Sequence, residues 1–226
     1  MPIGVLRLIN NPIVKKRNLP KYVKKLLREE KWLSKKKFNN LYLVGGTWRS
    51  LFKLHLFQNN HPVHIIHQYS IDKSTLSKFV EKVSSFNKSK LKTVEYISKS
   101  RTQFLPYSSI ILDEIMSITN PKKIICSISG LREGSLSIDH FKNIKESEIF
   151  TKSIEYIALK RGDLGSTYQK YFKFILPVFD GNEHYNKKLL HLACVLSHMD
   201  WGLGAFQKAE LVFQETLNTP LLRLTH

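Results

Sequence analysis

Two short segments of the sequence place glycine and polar residues directly after an apolar run. Gly45-Gly46-Thr47 follows Leu41–Val44, and the segment 129–134 follows the run Lys123–Ile128. A strand that ends in glycine and continues into a helix leaves backbone N–H groups at the helix N-terminus, where they favour phosphate. The first segment therefore predicts a phosphate or nucleoside site, although many α/β proteins use such a turn for packing alone.

The second segment contains the acid of greatest chemical interest. Arg132, Glu133 and Gly134 stand at a predicted junction between a strand and a helix. A functional role for Glu133 is open. A structural ion pair between Arg132 and Glu133 at the start of the helix is an equally good interpretation.

The nine histidines contain no HExxH pattern, and their spacing does not favour a metal site. Pro62 excludes a helix around His61, and on a strand His64 and His67 would face opposite sides. The segment 198–200 reads His-Met-Asp, so the methionine separates two residues that a His-Asp metal pair needs adjacent. We therefore predict structural roles for these side chains and no metal site.

Cysteine usage points to a reducing compartment. The chain has two cysteines, Cys126 and Cys194, and no CxxC motif. Two buried, reduced thiols in a cytoplasmic protein are the favoured interpretation over a redox pair. The sequence has neither an apolar run long enough to span a membrane nor the pattern of a signal peptide, so we expect no membrane partner.

The net charge of +18 is the strongest compositional signal. The chain has 36 Lys and Arg against 18 Asp and Glu, and only 8 of the cations are Arg. Such an excess attracts polyanions, including nucleic acid and polyphosphate. Because base-specific contacts favour arginine, any nucleic-acid binding is expected to be non-specific. A codon bias toward lysine would explain much of the same excess.

Much of this charge lies near the N-terminus, where residues 1–37 hold 12 cations and 2 anions. The apolar spacing predicts a helix from Pro20 to Lys35. Its lysines lie largely opposite the apolar stripe and are candidates for polyanion contact: Lys21, Lys24, Lys25 and Lys31. A solvated helix face is the more ordinary interpretation of the same pattern.

Alternating strands and helices precede a stretch of helices alone, which predicts an α/β domain followed by an all-α segment. Four strands are predicted, at Ile3–Ile9, Leu41–Val44, Val63–Tyr69 and Lys123–Ile128. Helices are predicted after Gly46, over 73–86, from Leu105 and from Leu131. The later helices are expected at 150–161, 166–177, 185–199 and 203–217, so we place the domains at 1–144 and 145–226.

Six segments, taken together, resemble the exopolyphosphatase / guanosine pentaphosphate phosphatase (Ppx/GppA) family. Four match general features of the family: Pro2–Leu8, Tyr42–Leu51, Arg101–Tyr107 and Ser129–Gly134. Two fit its bacterial members: His61–Tyr69 and Leu192–Trp201. Their order and spacing match over nearly the whole chain.

The resemblance implies an actin-like fold of two RNase H-like domains, often followed by a helical HD-like domain. It also implies a cleft between the first two domains, with a phosphate loop in each, a glutamate base in the first domain and a divalent cation such as Mg²⁺. The family removes terminal phosphate from polyphosphate or guanosine pentaphosphate. In this chain, Gly45, Gly46, Thr47 and Arg101 match the cleft side of the second domain, whereas Arg132, Glu133 and Gly134 match a segment with a positioning role. The charge of Arg101 suits a phosphate chain, and a role in bracing the fold is an equally good interpretation.

The departures from the family pattern concern catalysis. The sequence contains no D-x-G-G-G-S-x-E, and nothing in it resembles the first domain. We therefore expect an incomplete second RNase H-like domain over 1–144, a truncated HD-like domain over 145–226, and no catalytic residue or bound cation in this chain alone. A separate chain carrying the first domain would then be a partner. A non-catalytic remnant and a basic polyanion-binding module are the alternatives.

Overall fold

The computed structural model describes residues 3–11, 16–35, 38–94, 97–140, 142–145, 148–160, 167–179, 187–197 and 205–218. The chain divides into two compact units. In the described residues, the first unit extends to Glu133 and the second begins at Gly134. The predicted boundary near residue 144 stays a prediction.

A three-stranded sheet in the first unit brings the two glycine turns to one edge. Its strands are β1 (Asn40–Val44), β2 (Ser70–Asp72) and β3 (Lys123–Ser127), in the order β1-β3-β2. β1 and β3 are parallel, with Val44 opposite Ser127, whereas β2 is antiparallel to β3. The carboxyl ends of β1 and β3 therefore meet at the same edge, which is where ligands bind in many open α/β sheets.

In the described residues, eight α-helices lie in the first unit, and a ninth, α9, begins in it and continues past Glu133. They are α1 (Val5–Ile9), α2 (Leu19–Glu29), α3 (Lys31–Lys35), α4 (Gly46–Gln58), α5 (Lys73–Ser84), α6 (Lys88–Lys92), α7 (Lys99–Thr102), α8 (Leu105–Thr119) and α9 (Leu131–His140). α8 begins with Pro106 in its first turn and ends at Asn120, whose left-handed φ of 45° closes the helix.

α8 separates two apolar clusters of the first unit. On one side, Leu112 and Met116 join the core formed by the sheet, α4 and α5. On the other side, Ile111 packs with buried side chains of α2 such as Val23 and Leu27. The apolar spacing of α2 explains this arrangement because Leu19, Val23 and Leu27 recur every four residues and all three are buried.

The segment Ile3–Ile9 was predicted as a strand, and this prediction is wrong. Residues Val5–Ile9 form α1, with the N–H of Leu8 bonded to the carbonyl of Gly4 at 3.0 Å. Leu8 is buried in the cluster on the α2 side of α8. The segment thus buries its apolar side chains against a helix, and a helical turn satisfies its backbone without a partner strand.

The strand predicted at Val63–Tyr69 is also wrong. The chain enters the sheet only at Ser70, and β2 is three residues long. The preceding backbone is irregular because Gln68 adopts a left-handed φ of 60°. The predicted helix Pro20–Lys35 is interrupted as well, since Glu30 has a non-helical ψ of 83° and separates α2 from α3.

Every regular element that the structure describes in the second unit is a helix. Its helices are α10 (Ile149–Lys160), α11 (Thr167–Phe179), α12 (Lys187–Ser197) and α13 (Ala205–Asn218), close to the four that the sequence predicts. α10, α11 and α12 share a core that includes Phe150, Ile154, Tyr168, Leu192 and Val195. No helix in the described part of either unit has the length and apolar character needed to cross a membrane.

Candidate functional site

The first turn of α4 forms one half of the candidate site. Gly45 adopts φ 124° and ψ 159°, a backbone conformation open essentially to glycine alone, and this bend turns the chain from β1 into α4. The first helical hydrogen bond runs from the N–H of Arg49 to the carbonyl of Gly45 at 3.1 Å. No side chain caps α4, so the N–H groups of Gly46 and Thr47 remain available to an anion.

Arg101 brings a positive charge to this turn. A Cβ atom placed on Gly46 would lie 2.9 Å from both Cζ and Nη1 of Arg101, so the guanidinium rests directly over the glycine. The Arg101 side chain is exposed on α7. The structure thus brings Gly45, Gly46, Thr47 and Arg101 together, although the sequence separates Arg101 from the glycines by more than fifty residues.

Gly130 and Glu133 form the other half of the site. The Gly130 N–H donates to Oε2 of Glu133 at 2.6 Å, as a glutamate in the first turn of a helix does when it reaches back to cap that helix. A Cβ on Gly130 would lie 3.6 Å from Cγ1 of Val44, the last residue of β1. The Gly130 turn therefore lies against the end of β1, beside the Gly45 turn.

The contacts of Glu133 favour a positioning role over acid–base chemistry. The hydrogen bonds from the backbone N–H groups of Gly130 and of Glu133 itself lower the pKa of the Glu133 carboxyl, and the charges of Arg132 and Arg49 add to the shift. Glu133 is thus a carboxylate that holds a turn through backbone N–H groups, and no ion pair within 4.0 Å joins it to Arg132 among the described residues. Arg132 and Gly134 are both exposed on α9.

The lowered pKa of Glu133 predicts a pH-dependent contribution to stability. The unfolded chain binds a proton at Glu133 near the ordinary pKa of 4.5, whereas the folded chain binds it at lower pH. The stabilisation is therefore present above the ordinary pKa and is lost as the pH falls through the folded pKa. We expect the difference in unfolding free energy between the parent and Glu133→Gln to follow this profile in urea titrations. Glu81→Gln, at an exposed helix position, is the charge-matched control, and a pH-independent difference for Glu133→Gln would contradict the prediction.

Sequence reasoning missed Arg49, which lies in the second turn of α4. Its positive charge lowers the pKa of Glu133 and, against the effect of burial, that of Cys126 in β3. Its Nε atom is buried and has no hydrogen-bond partner. The sequence could have indicated Arg49 as a site candidate, because it follows Gly45 and Gly46 by four and three residues and such residues share a helix face.

The four candidate lysines for polyanion contact do not share one environment. Lys21 and Lys25 are exposed on α2, and Lys31 is exposed at the start of α3. Lys24 is half-buried, and its charge acts on Glu114 of α8, whose pKa burial raises. Lys24 therefore belongs to the contact between α2 and α8 rather than to an open cationic face.

His61 and His67 have hydrogen-bonding partners in the backbone, and both cysteines are buried. His61 Nδ1 lies 2.7 Å from the carbonyl oxygen of Val63, and His67 Nδ1 accepts the N–H of Ile128 at 3.4 Å. Burial raises the pKa of the Cys126 thiol to about 12, and Cys126 and Cys194 are both free and buried. Within the described residues, no three His, Cys, Asp or Glu side chains form a possible metal site, and 198–200 lies outside them.

Comparisons with known proteins identify relatives of this arrangement. The model of the Ppx/GppA phosphatase family matches residues 1–141. A crystal structure of the Aquifex aeolicus member of the Ppx/GppA protein family aligns with a TM-score of 0.52 and 19% identity, over 65% of this chain and 49% of that chain. This likeness confirms the predicted α/β fold class, an actin-like domain followed by helices.

A second structure, the Aquifex aeolicus PPX-GPPA enzyme, aligns with a TM-score of 0.47 and 20% identity over 60% of this chain and 46% of that chain. The chain thus spans about half the length of the solved structures that it matches. No curated protein sequence matches it significantly.

Proposed function

Because this chain belongs to the Ppx/GppA phosphatase family, we propose that it forms one wall of the phosphate-binding cleft of a phosphohydrolase. The proposed substrates are polyphosphate and guanosine pentaphosphate, from which the complete enzyme removes a terminal phosphate. The wall consists of the Gly45-Gly46-Thr47 turn and the Arg101 guanidinium. The cytoplasmic location inferred from the two reduced thiols is part of the same proposal.

The contact between Arg101 and Gly46 carries this proposal. A phosphate chain needs hydrogen-bond donors and positive charge at one place, and the open N-terminus of α4 provides the donors. Arg101 provides a planar cation at 2.9 Å from the Cβ position of Gly46, and guanidinium groups match phosphate oxygens in bidentate geometry. Only a residue without a side chain at position 46 leaves room for this approach.

The described residues provide binding groups but not the complete chemistry of hydrolysis. Phosphoryl transfer to water needs an in-line water, a base to position it and neutralisation of the developing charge. Glu133 is occupied by backbone N–H groups, which suits positioning. We propose that residues outside this chain, including a separate chain with the first domain, supply the base and the remaining phosphate contacts.

The divalent cation of the family does not fit the described residues by themselves. A Mg²⁺ ion prefers several oxygen ligands, and no group of three acidic or other ligating side chains exists among the described positions. Charge neutralisation by this chain is therefore assigned to Arg101. No step of the proposed reaction is placed on a cation held here.

Isothermal titration of the chain with short polyphosphate tests the proposed wall. Replacing Arg101 with glutamine is expected to weaken binding about 10- to 150-fold, because a hydrogen bond to a charged group contributes about 1.5–3 kcal/mol. Arg7→Gln, which removes the same charge from an exposed position on α1, is the matched control. Equal losses from the two variants would contradict a defined site at Arg101.

A phosphate-release assay tests the second part of the proposal. The isolated chain is expected to release no phosphate from polyphosphate or guanosine pentaphosphate while it still binds them. Release that Glu133→Gln abolishes would place the base within this chain and overturn the assignment. Absence of binding as well as release would favour a non-catalytic remnant.

A further inference from the structure

A row of exposed cations follows one face of the α2 region. Arg17, Lys21, Lys25 and Arg28 are spaced by four, four and three residues, and all four side chains are exposed. In α2 this spacing places Lys21, Lys25 and Arg28 on one face over about 10 Å along the axis. Arg17 lies in the 3₁₀ turn Lys16–Asn18 directly before α2. The row lies opposite the buried face that packs on α8.

This cationic row differs from the four lysines that the sequence suggested. Lys24 is half-buried and is not part of the row, and neither is Lys31. Arg17 and Arg28 belong to the row together with Lys21 and Lys25. Among the described residues, no carboxylate lies within 4.0 Å of the charged nitrogens of Arg17, Lys21 or Lys25. These three charges are therefore available to a ligand, while Arg28 also acts on Glu114.

Trp32 provides an exposed aromatic ring shortly after this row in the sequence. Trp32 lies in α3, four residues after Arg28 of α2, and its side chain is 54% exposed. The indole N–H donates to Glu30 at 3.1 Å, and Phe38 meets the ring edge-on with centroids 6.5 Å apart. These two contacts orient the exposed ring. Four residues span at most about 14 Å, so the ring and the row lie within reach of one short oligonucleotide.

We propose that the cationic row and Trp32 form a binding surface for single-stranded nucleic acid. Lysine and arginine side chains would follow the phosphates, and the exposed indole would stack on a base. Inorganic polyphosphate can satisfy the cations but has no π-face for the ring, so Trp32 favours a nucleic acid as the ligand. Lysine charges and a single stacking ring contact any base, which makes the binding independent of sequence. The surface includes neither Gly46 nor Arg101 and is distinct from the phosphate wall.

Fluorescence anisotropy with a labelled oligouridine over a series of salt concentrations tests the cationic row. The variant Lys21→Gln, Lys25→Gln, Arg28→Gln is expected to reduce the slope of log affinity against log salt by about 2, since each phosphate on a single strand contributes about 0.7. The control carries Lys78→Gln, Lys82→Gln and Lys90→Gln, which remove three exposed charges elsewhere in the first unit. An equal change in slope for the two triple variants would overturn the proposal.

The substitution Trp32→Leu tests stacking separately from charge. It is expected to weaken oligouridine binding about 5- to 150-fold, whereas Trp32→Phe retains part of the affinity because it keeps a ring. Binding of polyphosphate is expected to stay unchanged in both variants. Unchanged oligouridine binding by Trp32→Leu, or an equal loss for polyphosphate, would show a polyanion surface without nucleic-acid recognition and would overturn the proposal.

Discussion

Replacing Phe52 with alanine is expected to lower the unfolding free energy of the chain by about 3–5 kcal/mol, the usual cost of deleting a buried aromatic ring. Phe52 lies on α4, is 0% exposed and belongs to the core beneath the sheet. Its ring meets Tyr69 edge-on with centroids 6.0 Å apart, and the Tyr69 hydroxyl lies 3.0 Å from His55 Nδ1. The variant therefore leaves a cavity and removes one support of Tyr69.

Urea denaturation followed by circular dichroism measures this loss. Leu6→Ala is the control, because Leu6 is 62% exposed on α1 in the same unit and its truncation is expected to change stability by no more than about 0.5 kcal/mol. A Phe52→Ala midpoint as high as that of Leu6→Ala would show that α4 does not anchor the core. The result bears on the candidate site, since α4 carries the Gly45 turn at its N-terminus.

The sequence predicted the elements whose signals are local. The pair Leu105-Pro106 correctly predicted the start of α8. The apolar runs at Leu41–Val44 and Lys123–Ile128 correctly predicted the strands β1 and β3, which pair in parallel. The resemblance of separate segments also predicted the family and the fold class, which the family model over residues 1–141 confirms. These features depend on neighbours within a few residues or on motifs of fixed spacing.

The errors arose where distant contacts decide the local structure. Apolar residues at Ile3–Ile9 suit a strand or a helix, and the partner surface on α8 selected the helix. The strand predicted at Val63–Tyr69 does not form, and β2 begins only at Ser70. Gln68 has a left-handed φ, which is incompatible with an extended strand at that position. A single sequence has no signal for either effect, since β-propensity reflects packing context more than the residues themselves.

In the candidate site, too, the sequence predicts the local features but not the long-range contacts. The glycine turn and the cap formed by Glu133 follow from residues within four positions of each other. The approach of Arg101 to Gly46 joins segments that are far apart in the chain. The resemblance to the family indicated both residues as site candidates, but it did not predict that they contact each other. The effect of the Arg49 charge on the pKa of Glu133 also joins residues that are far apart in the chain.

The contact between Arg101 and Gly46 also predicts a large loss of polyphosphate affinity when Gly46 is replaced. Gly46→Ala is expected to weaken polyphosphate binding about as much as Arg101→Gln does, about 10- to 150-fold, because the new methyl group displaces the guanidinium. The fold is expected to persist, since the displaced atoms are the end of a flexible side chain. Alanine also favours the helix over glycine by up to about 1 kcal/mol.

A double-mutant cycle in the same titration calorimetry isolates this mechanism. If both substitutions act by removing the guanidinium from the turn, then combining Gly46→Ala with Arg101→Gln adds little to either change alone. Gly4→Ala is the control, because a Cβ at Gly4 meets nothing within 4 Å, and we expect it to leave polyphosphate affinity unchanged. Full affinity in Gly46→Ala together with impaired Arg101→Gln would show that Arg101 binds phosphate from another position. Additive losses would show that the methyl group blocks the N–H groups of the turn directly.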